Sequence, residues 1–372
     1  MATRLVSPVD SSNQSDPEAR IKQYPVSFWR EATFLPLDQP SKSDALLDEV
    51  CRYHQAAFLA FNLKLSATEP ELCERTGISA CFEKFKMMAP DERRRLIEYP
   101  PFLIWLKQVR QRYAYGNDLN ERLADLKRVM ESFDRIENDP SALTIPGTRI
   151  RVARFDVDPL IMEAALPEYR FPDIRRQREF EEAVAYPPSF FLDMVTLALE
   201  RIGRAWPPAR REFDRFVSLI IDMVDADFTS YSAYHHVGVI FVSTDNSPLV
   251  ALEEYLIHEL GHQILYNVME LDPVVINEPE RMFRLPWSGQ ERDLYGYFHA
   301  FYIYIFMTHY LKRVERRSNR EQRRVRDRIS HIMKGLDLAA SELEAIDRFT
   351  PAGKHLFENL KRSGLEIETT RK

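Results

Sequence analysis

The sequence predicts a mainly α protein of α+β type, a helical chain with a small β-sheet next to a helix that carries an HExxH motif. Three observations lead there. Apolar residues recur at helical spacing through most of the 372 residues, only two short β-branched runs interrupt them, and the 11 glycines never form a GxG cluster. A Rossmann or Walker loop needs such clustered glycines to bring backbone N–H groups to a phosphate, which argues against nucleotide-driven chemistry.

The elements follow in order. Residues 1–20 are rich in Ser, Asp, Pro and Asn without an apolar run, and read as a disordered lead-in rather than a signal peptide or anchor. Leu46, Leu47, Val50, Ala57, Phe58 and Phe61 mark a helix from Ser43. Pro90 opens a second helix, Pro100 and Pro101 interrupt it, PFLIWLKQVRQRY resumes it, and residues 117–133 form a clean amphipathic helix. Residues 21–140 therefore read as a helical N-terminal region, serving packing or peptide recognition. The remainder, 141–372, reads as the metal-binding catalytic region with the HExxH helix and C-terminal helices. In it, residues 148–158 suggest a strand, 188–204 and 208–225 two helices, and VGVIFVS (237–243) a second strand. Ser247-Pro248 is a good helix start, and three or four helices follow to about Lys361.

Composition narrows the function classes. The net charge is −6 and the isoelectric point about 5.9, which argues against a dedicated nucleic-acid binder. A mean hydropathy of −0.38 excludes a polytopic membrane protein, and 12% aromatic residues exclude wholesale disorder. Only Leu294–Leu311 is uncharged for 18 residues, and its five Tyr and two His mark a buried helix rather than a membrane span. Cys51, Cys73 and Cys81 form no CxxC spacing, which fits a reduced, cytoplasmic protein. The run Lys312–Arg328 has nine basic and three acidic residues and reads as a solvated arginine-rich helix.

The chemistry lies in His258-Glu259-Leu260-Gly261-His262. On a helix, residues i and i+4 share a face, so both imidazoles can reach one metal ion, with Glu259 beside the first. The apolar flanks Leu256, Ile257, Leu260, Ile264 and Leu265 would bury this pair, and burying two His and a Glu without partners costs several kcal/mol. A metal centre is thus the better reading than two hydrogen-bonded core histidines. Leu265 and Val268 stand where a metzincin needs Gly and His, which excludes that class. Candidates for a third ligand are Glu278 and Glu280, in the stretch NEPER, and His299, in a helical run. Arg292, Tyr295, Gly296, His299, Tyr302 and Phe306 recur as one helical stripe, with Arg292 two turns or roughly 10 Å before His299. Gly296 would leave space between them for a small dicarboxylate, which a guanidinium grips bidentately.

These residues resemble the HExxH-type peptide β-hydroxylases, Fe(II)- and 2-oxoglutarate-dependent enzymes that modify ribosomally made peptides. GVIFVS (238–243), LIHELGHQIL (256–265), LPW (285–287) and RDLYGYFHAF (292–301) carry the resemblance, with weaker echoes at Pro101–Trp105 and in FTPAGKHLFENL. The resemblance implies His258, His262 and His299 as iron ligands and Arg292 as the holder of the distal carboxylate of 2-oxoglutarate. O2 would be the other cosubstrate, and a carbon of a peptide or amino-acid residue, the β-carbon first, the hydroxylated position. Asp293 and Ala300 depart from the family's usual Pro and Gly, so pocket shape and substrate are expected to differ.

Two other classes compete. In a zinc metallopeptidase Glu259 would be the general base and Glu278, Glu280 or His299 the third ligand; Arg292 has no stated role there. In a non-catalytic peptide-binding protein the metal would be structural. The expected partner in each case is a peptide or amino-acid-derived molecule, with neither nucleic acid nor membrane.

Overall fold

The computed structural model describes residues 26–30, 32–37, 42–137, 143–154, 160–161, 188–223, 229–243, 249–315 and 319–369. Among them are thirteen helices and two small sheets, so the protein is mainly α with a small β component, as the sequence predicts. The lead-in 1–20, the end of the first predicted strand beyond residue 154 and the Ser247-Pro248 helix start lie outside the described residues. Two compact units interleave along the chain: one takes Met1–Leu46, Leu197–Phe213 and Asn246–Lys372, the other Leu47–Thr196 and Asp214–Asp245.

The helices in chain order are α1 (Val26–Trp29), α2 (Ser43–Thr68), α3 (Pro70–Thr76), α4 (Ile78–Met87), α5 (Pro90–Ile97), α6 (Pro100–Ala114) and α7 (Asn120–Glu137). After them come α8 (Pro188–Ala205), α9 (Pro207–Phe216), α10 (Leu249–Leu271), α11 (Leu294–Val314), α12 (Asn319–Ile346) and α13 (Pro351–Thr369). The strands are β1 (Arg151–Arg154), β2 (Leu219–Asp222), β3 (Ser230–Tyr231), β4 (Val239–Val242), β5 (Phe283–Arg284) and β6 (Glu291–Arg292).

In the unit that holds the four-stranded sheet, proline opens several helices. Pro70, Pro90 and Pro100 each open a helix, where the missing N–H has no intrahelical partner to lose. Phe58 of α2 packs against Phe82, Phe85, Phe102 and Trp105, with ring centroids 4.8–5.9 Å apart. The four-stranded sheet runs β1-β2-β4-β3, parallel except for β3. Leu219 pairs with Arg151 on one side and Val239 on the other, and every residue of β2 and β4 is buried.

β2 corrects the predicted helix over 208–225. The helix ends at Phe216 and Leu219–Asp222 becomes an inner strand. A parallel strand covered on both faces reads as a continuous apolar run, which lacks the period-2 signature of a half-exposed strand.

The other unit is built around α10, which is buried on nearly all sides, so its sequence lacks a polar stripe. Helix α11 packs along it. At Gly261 an added Cβ would sit 2.8 Å from Ile303 Cδ1, so glycine admits the close approach of α11. Asn359 Nδ2 of α13 donates to Ala32 O (2.8 Å) and Tyr302 Oη of α11 donates to Phe34 O (3.3 Å), which ties the segment after α1 to the helices. Among the described residues no helix is long and apolar enough to cross a membrane. The uncharged run 294–311 forms most of α11, with nearly all of its side chains buried.

Candidate metal centre

Helix α10 presents His258 and His262 one turn apart, and their Nε2 atoms approach to 3.2 Å. Two imidazoles sharing one ion through bonds of about 2.1 Å, at an angle near 100°, have nitrogens about 3.2 Å apart. The pair therefore fits a divalent metal. Protonation agrees. Burial pushes His258 down to about 4, helped by the positive charge of Arg328. Burial, with the neighbouring His258 and His299, holds His262 well below its ordinary value. Both rings are neutral at pH 7 and carry the lone pair that a metal needs.

The proton positions follow from the contacts. Met307 Sδ lies 3.3 Å from His258 Nδ1, and a thioether can only accept, so Nδ1–H donates to it. Nε2 of His258 is then an acceptor, and His262 Nε2–H donates to it. That leaves His262 Nδ1 buried without a hydrogen-bond partner. A ligand taking both Nε2 lone pairs would move the proton of His262 to this second nitrogen.

His299 of α11 belongs to the same cluster but is aimed elsewhere. Its ring centroid is 5.7 Å from that of His262, it stacks on Tyr295 at 4.5 Å, and Tyr266 lies 5.4 Å away. Its Nε2 faces Met269 Sδ at 3.0 Å. Burial depresses it to about 3, so it too is neutral. Among the described residues no set of three or more His, Cys, Asp and Glu side chains is gathered as a metal cage. The two HExxH histidines are brought together; the third requires its Nε2 to leave Met269. Glu259 is buried, 2% exposed, with Oε1 4.0 Å from His258 Nε2, so the motif carboxylate adjoins the pair.

The other sequence candidates lie as follows. Glu278 pairs with Arg348 at 2.9 Å and with Arg281 at 3.8 Å, and is committed to those cations. Glu280 lies in the turn before β5. Arg292 differs from expectation: it ends β6, and α11 begins only at Leu294, with the Asp293 side chain accepting from Gly296 N at 2.9 Å as N-cap. A strong N-cap residue inside an apparent stripe ends the helix, whatever the spacing suggests. Arg292 Nη1 donates to Glu291 O (3.0 Å) and Nη2 to Gln290 Oε1 (2.9 Å). Nor does Gly296 leave open space, because an added Cβ would lie 3.2 Å from both Arg292 Cβ and Cδ.

Met269, Met307 and Tyr266 have no place in the sequence reading, yet they surround the histidines together with Tyr295 of the helical stripe. Helical spacing was the available signal: Tyr266 and Met269 follow His262 by four and seven residues, while Tyr295 precedes His299 by four. Arg328 and Glu254 were also passed over, and the solvated-helix reading of 312–328 needs correction at this point. Arg323, Arg324 and Arg326 are exposed, but Arg328 is half-buried against Glu254 and Tyr304.

No protein-family model matches the chain, and no curated protein matches it.

Proposed function

We propose that the chain is an Fe(II)- and 2-oxoglutarate-dependent oxygenase that hydroxylates a carbon, the β-carbon first, of a peptide or amino-acid residue. The observation that carries the reading is the neutral Nε2 pair at 3.2 Å with a third neutral imidazole beside it. Iron, with O2 and the 2-oxo acid, supplies the oxidising power for C–H hydroxylation while the acid becomes succinate and CO2. His258, His262 and His299 would hold the metal. The resemblance to the HExxH-type peptide β-hydroxylases supports that set.

The chain's own groups prepare the site. Met307 holds the Nδ1 proton of His258, which keeps Nε2 in the ligating tautomer. Tyr295, stacked on His299, holds the plane of that ring, whose Nε2 would have to leave Met269 to hold the metal. Burial along the α10–α11 pair keeps the imidazoles neutral well below pH 7. Glu259 orients the groups at the pair.

Glu259 also favours a second reading. A buried carboxylate 4.0 Å from His258 Nε2 suits the general base of a zinc peptidase, taking the proton of an attacking water. One titration separates them. Apoprotein given Fe(II) without oxygen and then 2-oxoglutarate should develop a saturable visible charge-transfer band. No band, together with stoichiometric zinc in protein purified without chelators, would select the peptidase.

A further inference from the structure

Helices α10 and α11 form two rows of contacts one turn apart, and α12 joins the second. Glu254 precedes His258 by four residues on α10, so the two side chains stack on one face. Tyr304 precedes Met307 by three residues on α11, again on one face. In one row Met307 touches His258. In the next row Arg328 of α12 donates Nε–H to Glu254 Oε1 at 2.6 Å, with its Cζ 5.8 Å from the Tyr304 ring centroid. The guanidinium therefore sits about one helical turn, about 5 Å, along the helices from the histidine pair.

Exposure says which side of the pair a ligand meets. The side chains of His258 and Arg328 are 26% and 33% exposed, whereas Glu259 is 2% and the whole of His299 7% exposed. Arg328 thus flanks His258, one of the two half-buried rings of the pair. It is also held firmly. Glu254 takes one of five N–H donors and Tyr304 accepts another, while Trp287 stacks on Tyr304 with centroids 4.2 Å apart. The rest of the planar fork remains for a carboxylate. Arg328's charge already reaches His258, whose protonation it opposes. Arg292, by contrast, uses both Nη atoms within its own hairpin.

We infer that Arg328, positioned by Glu254 and Tyr304, is the group that grips the distal carboxylate of a 2-oxo diacid held at the histidine pair. This rests on the oxygenase reading above and names a different cation for its cosubstrate than the sequence does. A five-carbon diacid spans about one helical turn, which is the separation between the two rows.

Pyruvate shares the 2-oxo acid head of 2-oxoglutarate but lacks the distal carboxylate, so the ratio of their affinities reports that carboxylate alone. The experiment is anaerobic calorimetry of both acids with Fe(II)-loaded full-length protein, wild type, Arg328→Gln, Arg328→Lys and Arg292→Gln. Arg328→Gln should lose about tenfold or more of the 2-oxoglutarate preference with pyruvate binding unchanged, since a charge-assisted pair is removed. Arg328→Lys, which keeps the charge beside Glu254 and with it the fold, should lose a smaller part. Arg292→Gln should keep the preference. A preference unchanged in both Arg328 variants, or lost only in Arg292→Gln, overturns the inference. Wild-type protein that binds neither acid fails the oxygenase reading itself.

Discussion

Removing one imidazole of the pair and removing its support are different experiments, because one deletes a lone pair and the other only misdirects it. His258→Ala or His262→Ala should abolish stoichiometric metal, measured by elemental analysis after equilibration with Fe(II) or Zn(II); full occupancy in either variant would sink the metal centre. Met307→Leu conserves volume, so the fold should hold to within about 1.5 kcal/mol. It removes the acceptor of His258 Nδ1–H, and losing such a supporting partner costs about 10–100-fold in metal affinity. An affinity unchanged in Met307→Leu would mean that the thioether does not set the tautomer. Glu259→Gln divides the two chemistries: it should silence a peptidase and leave an oxygenase part of its turnover, because only the peptidase needs a proton moved by that carboxylate.

At the scale of the element, α11 is placed by its first turn and by α12. Asp293 accepts from Gly296 N and also from Asn277 Nδ2, at 2.9 and 2.8 Å, so Asp293→Ala should cost about 1 kcal/mol in thermal or denaturant unfolding. On α12, Gly335 faces the Trp287 ring so closely that an added Cβ would lie 2.1 Å from Nε1, an atom that donates to Ile332 O at 2.9 Å. Gly335→Ala must push out a rigid ring, at about 1–3 kcal/mol, and should also loosen the Trp287–Tyr304 stack behind Arg328. Melting temperatures of the two variants test both figures. Elements with a clear period or a proline boundary were legible in the sequence, as α7 and the start of α6 illustrate. β2 was not, since its run of buried apolar residues has no period of its own and its partners β1 and β4 are distant in sequence. The pair His258–His262 was legible because four-residue spacing on a helix fixes it. Arg292 was misplaced onto α11 because spacing ignores a cap, and Arg328 was missed because only tertiary packing sets it apart from the arginines around it.

Across the whole chain, buried histidines make folding depend on pH. His236 in one unit, and His258, His262, His299 and His309 in the other, are all depressed by burial. His236 and His309 lie outside the HExxH histidine cluster, at about 3, with Nε2 of His236 3.1 Å from Ile161 O and Nε2 of His309 2.8 Å from Ser363 Oγ. Below about pH 6.5 the unfolded chain binds protons that the folded chain refuses, so stability rises with pH in that range and is complete above it. A histidine held neutral in this way removes up to about 1.4 kcal/mol per pH unit below about pH 6.5. The metal-free chain should therefore lose stability on acidification below about pH 6.5. His236→Gln keeps an N–H where Nε2 donates to Ile161 O but cannot take up a proton, which isolates one titration from the rest. Denaturant midpoints from pH 5 to 8 should show its acid slope reduced by about one proton's worth, about 1.4 kcal/mol per unit. A slope equal to that of the wild type would mean that His236 titrates in the folded chain as it does in water, and would overturn burial as the origin of the acid sensitivity.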